Sequence, residues 1–341
     1  MPDILIQNAT IVDGSGAPRF HGGVAIQGDR IASIGALEGA AARTTIDATG
    51  RVLLPGFIDM HSHADLSLLV EPGAESLVRQ GITTVVTGQC GQSPAPLTGP
   101  YRQDALQTLS MLLPPQAAMP WDQISSFASF LDYLQGAGTA PGAVTAPGAS
   151  TAPGASTAPG ARTAPGASTA PGAGTAPGAG TAPNVVPLVG QGMVRAAVMG
   201  FSTAAPTDDQ MSQMRRLVHQ ALDAGAYGLS TGLIYPPGSF TTTQELVDVT
   251  TPVGQRGGLY FSHLRDEAGG LLASLAEAID IGRRTGAAVQ LSHLKAAGRD
   301  NWHRVPAALD LIDRARSQGL DVTADMYPYT GGATYLAALL P

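Results

Sequence analysis

The sequence predicts an α/β protein, a parallel (β/α)8-type barrel preceded by a small antiparallel β unit. Three observations predict it. Up to residue 54 the chain alternates short apolar runs with turns rich in Asp and Gly; after Pro55 it repeats apolar run, loop and amphipathic helix; and four of its seven histidines close or follow such runs. Strand then helix in repetition is the grammar of a parallel sheet, and a barrel brings the carboxyl ends of its strands to one face. With 341 residues, 44% of them apolar, the chain can fill a core of that size.

In the first unit, strands are expected at Ile4–Ile11, Gly23–Gln27, Arg30–Ile34 and Thr45–Asp47, separated by Asp13-Gly14-Ser15-Gly16 and Gly28-Asp29. Barrel strands follow at Gly56–Met60, Ile82–Val86, Val185–Val189, Ala226–Ser230, Leu259–Ser262, Ala288–Ser292 and Leu320–Ala324. Helices are expected near 75–80, 208–224, 244–256, 269–285 and 305–318; in the second of these Met211, Met214, Leu217, Val218 and Leu222 recur near helical spacing. Seven strands are counted, so the expected barrel is incomplete at its C-terminal end.

One stretch has a different composition. From Gly138 to Pro183 the hexad Thr-Ala-Pro-Gly-Ala-x recurs, with x as Val144, Ser150, Ser156, Arg162, Ser168, Gly174 and Gly180. A proline every sixth residue blocks helix and central-strand pairing, and almost nothing there is large enough to pack. A disordered linker is expected. The organisation is then a small β domain at 1–54, a first barrel part at 55–137, the linker at 138–183 and a second barrel part at 184–341.

The formal net charge of −7, with Lys and Arg scattered, argues against nucleic acid and against an anionic membrane as partners. No basic-then-apolar leader and no long apolar span is present, and a single cysteine allows no internal disulfide; a cytoplasmic location is expected.

The chemistry-bearing residues sit at strand ends. His61 and His63 are two apart, so on a strand they face the same way and can offer both imidazoles to one divalent metal; the other reading is a polar, exposed strand end. His263 closes Gly258–Ser262 and His293 closes Ala287–Ser292, while Cys90 lies in a loop after the second barrel strand, either as a ligand or as a small buried hydrophobe. Lys295, two residues after His293, points into the same mouth or into solvent. Arg265, Asp266 and Glu267 suggest an ion-pair cluster in a loop. His219 on a helix and His303 beside Trp302 are expected at the surface, and His21 belongs to the small β unit.

Taken together these residues resemble the amidohydrolase superfamily, and within it the N-acyl-D-amino-acid deacylase (D-aminoacylase) family. The matching stretches are Pro55 to His63; Gly81 to Val86 with Gly88 to Pro96 around Cys90; Gly228 to Gly238; His263-Leu264-Arg265-Asp266-Glu267; and Ser292-His293-Leu294-Lys295. The resemblance spans nearly the whole chain except the repeat. It implies an amidohydrolase-type barrel that hydrolyses the linear amide of a small-molecule N-acyl-D-amino acid. It also implies one tight zinc on Cys90, His263 and His293, with a second, weaker position at His61 and His63. Lys295 and Tyr327 are implied to bind the substrate carboxylate, whereas Ala333 stands where the family tends to have serine. The catalytic aspartate would lie on a strand beyond Pro341, so little deacylase activity is expected of these residues alone. Two alternatives stand beside this reading: a cyclic-amide hydrolase of the dihydroorotase type, although no carboxylated lysine is evident, and an inactive metal-binding barrel fragment.

Overall fold

The computed structural model describes residues 1–341 apart from 38, 111–112, 114–116, 118, 137–179 and 340–341. Two sheets organise it. The first contains β1 (Ile4–Ile11), β2 (Phe20–Gln27), β3 (Arg30–Gly35), β4 (Thr44–Asp47) and β5 (Val52–Leu53), ordered β3-β2-β1-β4 with β5 also on β1. Ala9, Ile11, Val24 and Ala48 form its small core. The sequence suggests an antiparallel unit, and β1, β2 and β3 do meander antiparallel, but β4 and β5 run parallel to β1. The cause is topological: β3 ends at the far edge, so the chain must cross back over to reach the open side of β1.

The second sheet carries the seven expected barrel strands, each parallel to its neighbour and placed in sequence order: β6 (Phe57–Asp59), β7 (Ile82–Thr87), β8 (Asn184–Gly190), β9 (Gly228–Gly232), β10 (Leu259–His263), β11 (Ala288–Leu291) and β12 (Val322–Ala324). Among the described residues β6 and β12 are edges, so the barrel is curled but not closed. Successive side chains along a strand point to opposite faces. Val85, Val189, Leu229, Tyr260 and Val289 pack with the helices, while Val86, Leu188 and Phe261 form a separate inner cluster.

The helices are α1 (Ala64–Ser67), α2 (Glu75–Val78), α3 (Arg102–Ser110), α4 (Phe127–Gly136), α5 (Gln191–Met199), α6 (Asp208–Ala224), α7 (Thr243–Gln255), α8 (Leu271–Thr285) and α9 (Val305–Ser317). The start of α6 is written in its sequence: Thr207 accepts from Gln210 N and Gln210 returns the bond, a reciprocal cap. Four helices were not expected, the short α1 among them. α5 is nearly all buried, so it shows no polar face for a periodicity to reveal. Its Arg195 is fully buried against Glu245 of α7 at 3.0 Å, which ties two helices over the sheet. α3 and α4 lie between Tyr101 and the repeat, where no strand signal frames them.

No helix among the described residues is long and apolar enough to cross a membrane. Most of the proline hexads fall outside the described residues. At the end of the expected linker, Ala182 N donates to Pro72 O at 2.7 Å, in the loop after α1. Since the hexads offer almost no large apolar side chains to offset the entropy of ordering, excising 140–178 is expected to lower the thermal midpoint by no more than about 2 °C. A calorimetric fall of roughly 5 °C or more would mean that the repeat contributes to the folded core.

Candidate metal centre

Four strands deliver the site. β6 leads into His61 and His63, β7 into the loop bearing Cys90, β10 ends on His263 and β11 leads to His293. These strands run parallel in one curled sheet, so their carboxyl ends lie on one side of it. Cys90 Sγ lies 3.4 Å from His61 Nε2, 3.6 Å from His263 Nδ1 and 3.6 Å from His293 Nε2. Two groups of close ligand atoms share the thiol: His61, His63 and Cys90, and Cys90, His263 and His293, each within 4.8 Å. His21, His219 and His303 belong to neither group. His63 is exposed, whereas Cys90 and His263 are buried.

The donor set suits a metal. One thiol proton can serve only one of three imidazole nitrogens, and a cation reconciles all three contacts. With Zn–S near 2.3 Å, Zn–N of 2.0–2.1 Å and a tetrahedral angle, sulfur and nitrogen stand roughly 3.5 Å apart. The observed spacings fit that figure.

The Cys90 loop is held from β9. Gly91 N donates to Ser230 Oγ at 3.0 Å, and Ser230 Oγ in turn donates to Gly88 O. Gly190 and Gly232 permit the approach, since a Cβ on either would overlap the loop backbone, at Gly91 and at Cys90 respectively. Cys90 (φ 56°) and His293 (φ 36°) both adopt the left-handed backbone region that non-glycine residues avoid. Strain of this kind costs about 1–3 kcal/mol per residue and persists only where the surroundings over-determine it.

Behind the histidines stand two carboxylates. Glu267 Oε1 lies 2.9 Å from His293 Nδ1 and 2.6 Å from Lys295 Nζ, and Lys295 Nζ is itself 2.9 Å from His293 Nδ1. Asp325 Oδ1 lies 3.4 Å from His61 Nδ1 and accepts the His293 N–H at 2.7 Å. The loop cluster expected around Arg265 is therefore corrected. Arg265 pairs with Glu277 of α8, Asp266 caps its own turn through Ala268 N and Gly270 N, and Glu267 alone turns into the site. Lys295 is half-buried and paired, and its Nζ stands 5.5 Å from the centre of the Tyr327 ring.

Burial dominates the local protonation. It pushes the Cys90 thiol far up, aided by the Glu267 and Asp325 charges, and it raises Asp65 to about 7. His263 falls to about 3 through burial and then through His293 beside it. Burial also raises Tyr235, whose ring abuts His263, to about 12. In Glu267 and Asp325 burial is outweighed, by the hydrogen bond and charges at His293, His263 and Lys295 in the first and by bonds from His61 and Gln290 in the second, so both stay below the usual carboxylate range.

With this geometry in place, a model of the amidohydrolase family matches residues 44–324. The N-acyl-D-aspartate deacylase of Alcaligenes xylosoxydans xylosoxydans is 38% identical over 335 residues, covering 98% of this chain and 57% of that protein. D-aminoacylase of the same organism is 36% identical over 336 residues, 98% of this chain and 59% of the relative. Among solved structures, N-acyl-D-glutamate deacylase from Bordetella bronchiseptica, complexed with zinc and a phosphonate mimic of the tetrahedral intermediate, superposes with a TM-score of 0.77 at 33% identity, over 96% of this chain and 59% of that one. A D-aminoacylase structure described by its binuclear metal centre gives 0.75 at 32% identity, over 96% and 59%. A D-hydantoinase, at 16% identity and 0.51, shares the fold. The chain thus spans 57–59% of the length of the curated relatives it matches.

Because Gly232 leaves the Cys90 carbonyl no room for a side chain, Gly232→Ala is expected to destabilise the protein by about 1–3 kcal/mol and to displace the thiol. Denaturant unfolding with thiol-reactivity kinetics checks this. Wild-type stability and unchanged reactivity would contradict the close approach.

Proposed function

This chain belongs to the amidohydrolase family, and on that premise we propose that it carries the metal site of a zinc-dependent hydrolase acting on the linear amide of N-acyl-D-amino acids. The products are a carboxylate and a free D-amino acid. One observation carries the reading: a buried thiol ringed by three imidazole nitrogens at 3.4–3.6 Å. Cys90, His263 and His293 hold the tight zinc, and His61 and His63, sharing Cys90, form the second, weaker position. The zinc and phosphonate in one relative's structure and the binuclear centre in another's support this assignment. When bound, the ion supplies Lewis acidity that polarises a carbonyl oxygen and acidifies water.

The chain's own residues bind and orient. Lys295 and Tyr327 take the substrate carboxylate, with Glu267 competing for the lysine until substrate arrives. Glu267 and Asp325 are committed to His293, Lys295, His61 and Gln290. Neither is free to carry a proton from water to the leaving amine, and that task falls to an aspartate that the family resemblance places on a further barrel strand. With one cysteine and so no internal disulfide, the composition is compatible with the cytoplasm, which is the proposed location. The net charge of −7 supports a small-molecule partner over nucleic acid or an anionic membrane surface.

Purified protein is expected to contain zinc by elemental analysis, and Cys90→Ala is expected to lose it; unchanged zinc in the variant would sink the ligand assignment. Acyl release from N-acetyl-D-methionine should rise by on the order of a hundredfold to ten-thousandfold when a relative's C-terminal segment is fused to these 341 residues, the range a general base contributes. Equal turnover with and without that segment, abolished by Asp325→Asn, would instead make Asp325 the base.

A further inference from the structure

Asp325 follows β12 at one edge of the barrel sheet, and His61 follows β6 at the other. Their side chains meet across the open edges, Oδ1 to Nδ1 at 3.4 Å. That oxygen also accepts the His293 backbone N–H at 2.7 Å. The second oxygen accepts from Gln290 Nε2 at 2.8 Å, and Thr323 Oγ1 donates to Gln290 Oε1, which fixes the amide that fixes the carboxylate. Backbone bonds on both sides, Asp325 N to Leu291 O at 3.1 Å and Leu294 N to Asp325 O at 2.8 Å, lock the residue to β11.

We propose that Asp325 is a positioning residue of the metal centre, one carboxylate that sets the ring of His61 and the backbone of His293 at once. The proposal rests on the zinc reading above. His61 can direct a bare Nε2 toward the Cys90 sulfur only as the tautomer protonated on Nδ1, and the Asp325 charge 3.4 Å from an Nδ1 that has no other partner among the described residues favours that tautomer. His293 directs its Nε2 to the same sulfur from a left-handed backbone, and its N–H is tied to the same carboxylate. Glu267 orients the His293 ring from its Nδ1 side, so each of these two imidazoles has an acidic partner opposite the thiol. Asp325 adds what Glu267 cannot, a link from the β12 edge that joins His61 after the opposite edge strand β6 to His293 after β11.

The test uses the full 341-residue protein. Asp325→Asn keeps the shape and one accepting oxygen, so circular dichroism and thermal midpoint should stay near wild type. Its zinc dissociation constant, from chelator competition, should rise about 10- to 100-fold, and Asp325→Ala should lose at least as much. The visible spectrum of the cobalt-substituted Asn variant should also shift, which a merely structural role would leave alone. A second readout needs no metal: in 15N-histidine-labelled metal-free protein, the His61 ring should be Nδ1-protonated in wild type and lose that preference in Asp325→Ala. Zinc affinity within about threefold of wild type, with an unchanged tautomer, overturns the proposal and leaves the zinc reading intact. A wild type that binds no zinc but whose His61 tautomer answers to Asp325 overturns the zinc reading instead.

Discussion

The convergence of one thiol and three imidazole nitrogens is the constraint on which the rest of this structure depends. Buried polar groups are costly unless paired, and the Cys90 sulfur is packed among three histidines at 3.4–3.6 Å. Meeting that demand requires a left-handed Cys90, a left-handed His293, glycine where β8 and β9 pass the loop, and a buried serine on β9 that bonds both sides of the thiol. Each feature is unfavourable or unusual alone. Together they fix one sulfur.

The parallel sheet makes such a meeting possible. Alternation along β10 buries Tyr260 against the helices and Phe261 in the inner cluster, and the strand then ends on His263. Ser230 and Gln290, both buried, stand beside Phe261 on the neighbouring strands, so the inner face turns polar toward the carboxyl ends. An apolar lower barrel therefore supports a polar mouth. The sheet need not close to do this, because the Asp325–His61 contact draws its edges together at the level of the site.

Much of this was legible in the sequence for one reason: a histidine closing an apolar run must lie at a strand's end, and seven such runs in a β-then-α rhythm specify parallel neighbours. His61, His63, His263 and His293 follow from that rule, whereas Cys90 is marked as a ligand only by the family resemblance. Glu267 did not, since Arg265-Asp266-Glu267 reads as an ion-pair cluster in a loop, and only the fold shows that the three side chains leave in different directions. The same strand-end rule could have found Asp325, which directly follows β12, had it been applied to carboxylates as well as imidazoles. α5 escaped because burial on nearly all sides erases the amphipathic signal. The parallel entry of β4 and β5 depends on which edge of β1 stays open, a fact about the assembled sheet.

Charge balance in the site bears on how many ions it holds. The groups joined to the ligand atoms are the Cys90 thiol and the carboxylates of Glu267 and Asp325 on the acidic side, with the Lys295 ammonium opposing them. With the thiol ionised by a metal and the histidines neutral, three negative charges face one positive. A single divalent cation brings the cluster to neutrality, the condition under which buried charges are best tolerated. A second would leave it with two net positive charges and would have to rely on His63, the one exposed histidine of the set. In the proposed assignment, exposure thus ranks the position at His61 and His63 below the one at Cys90, His263 and His293.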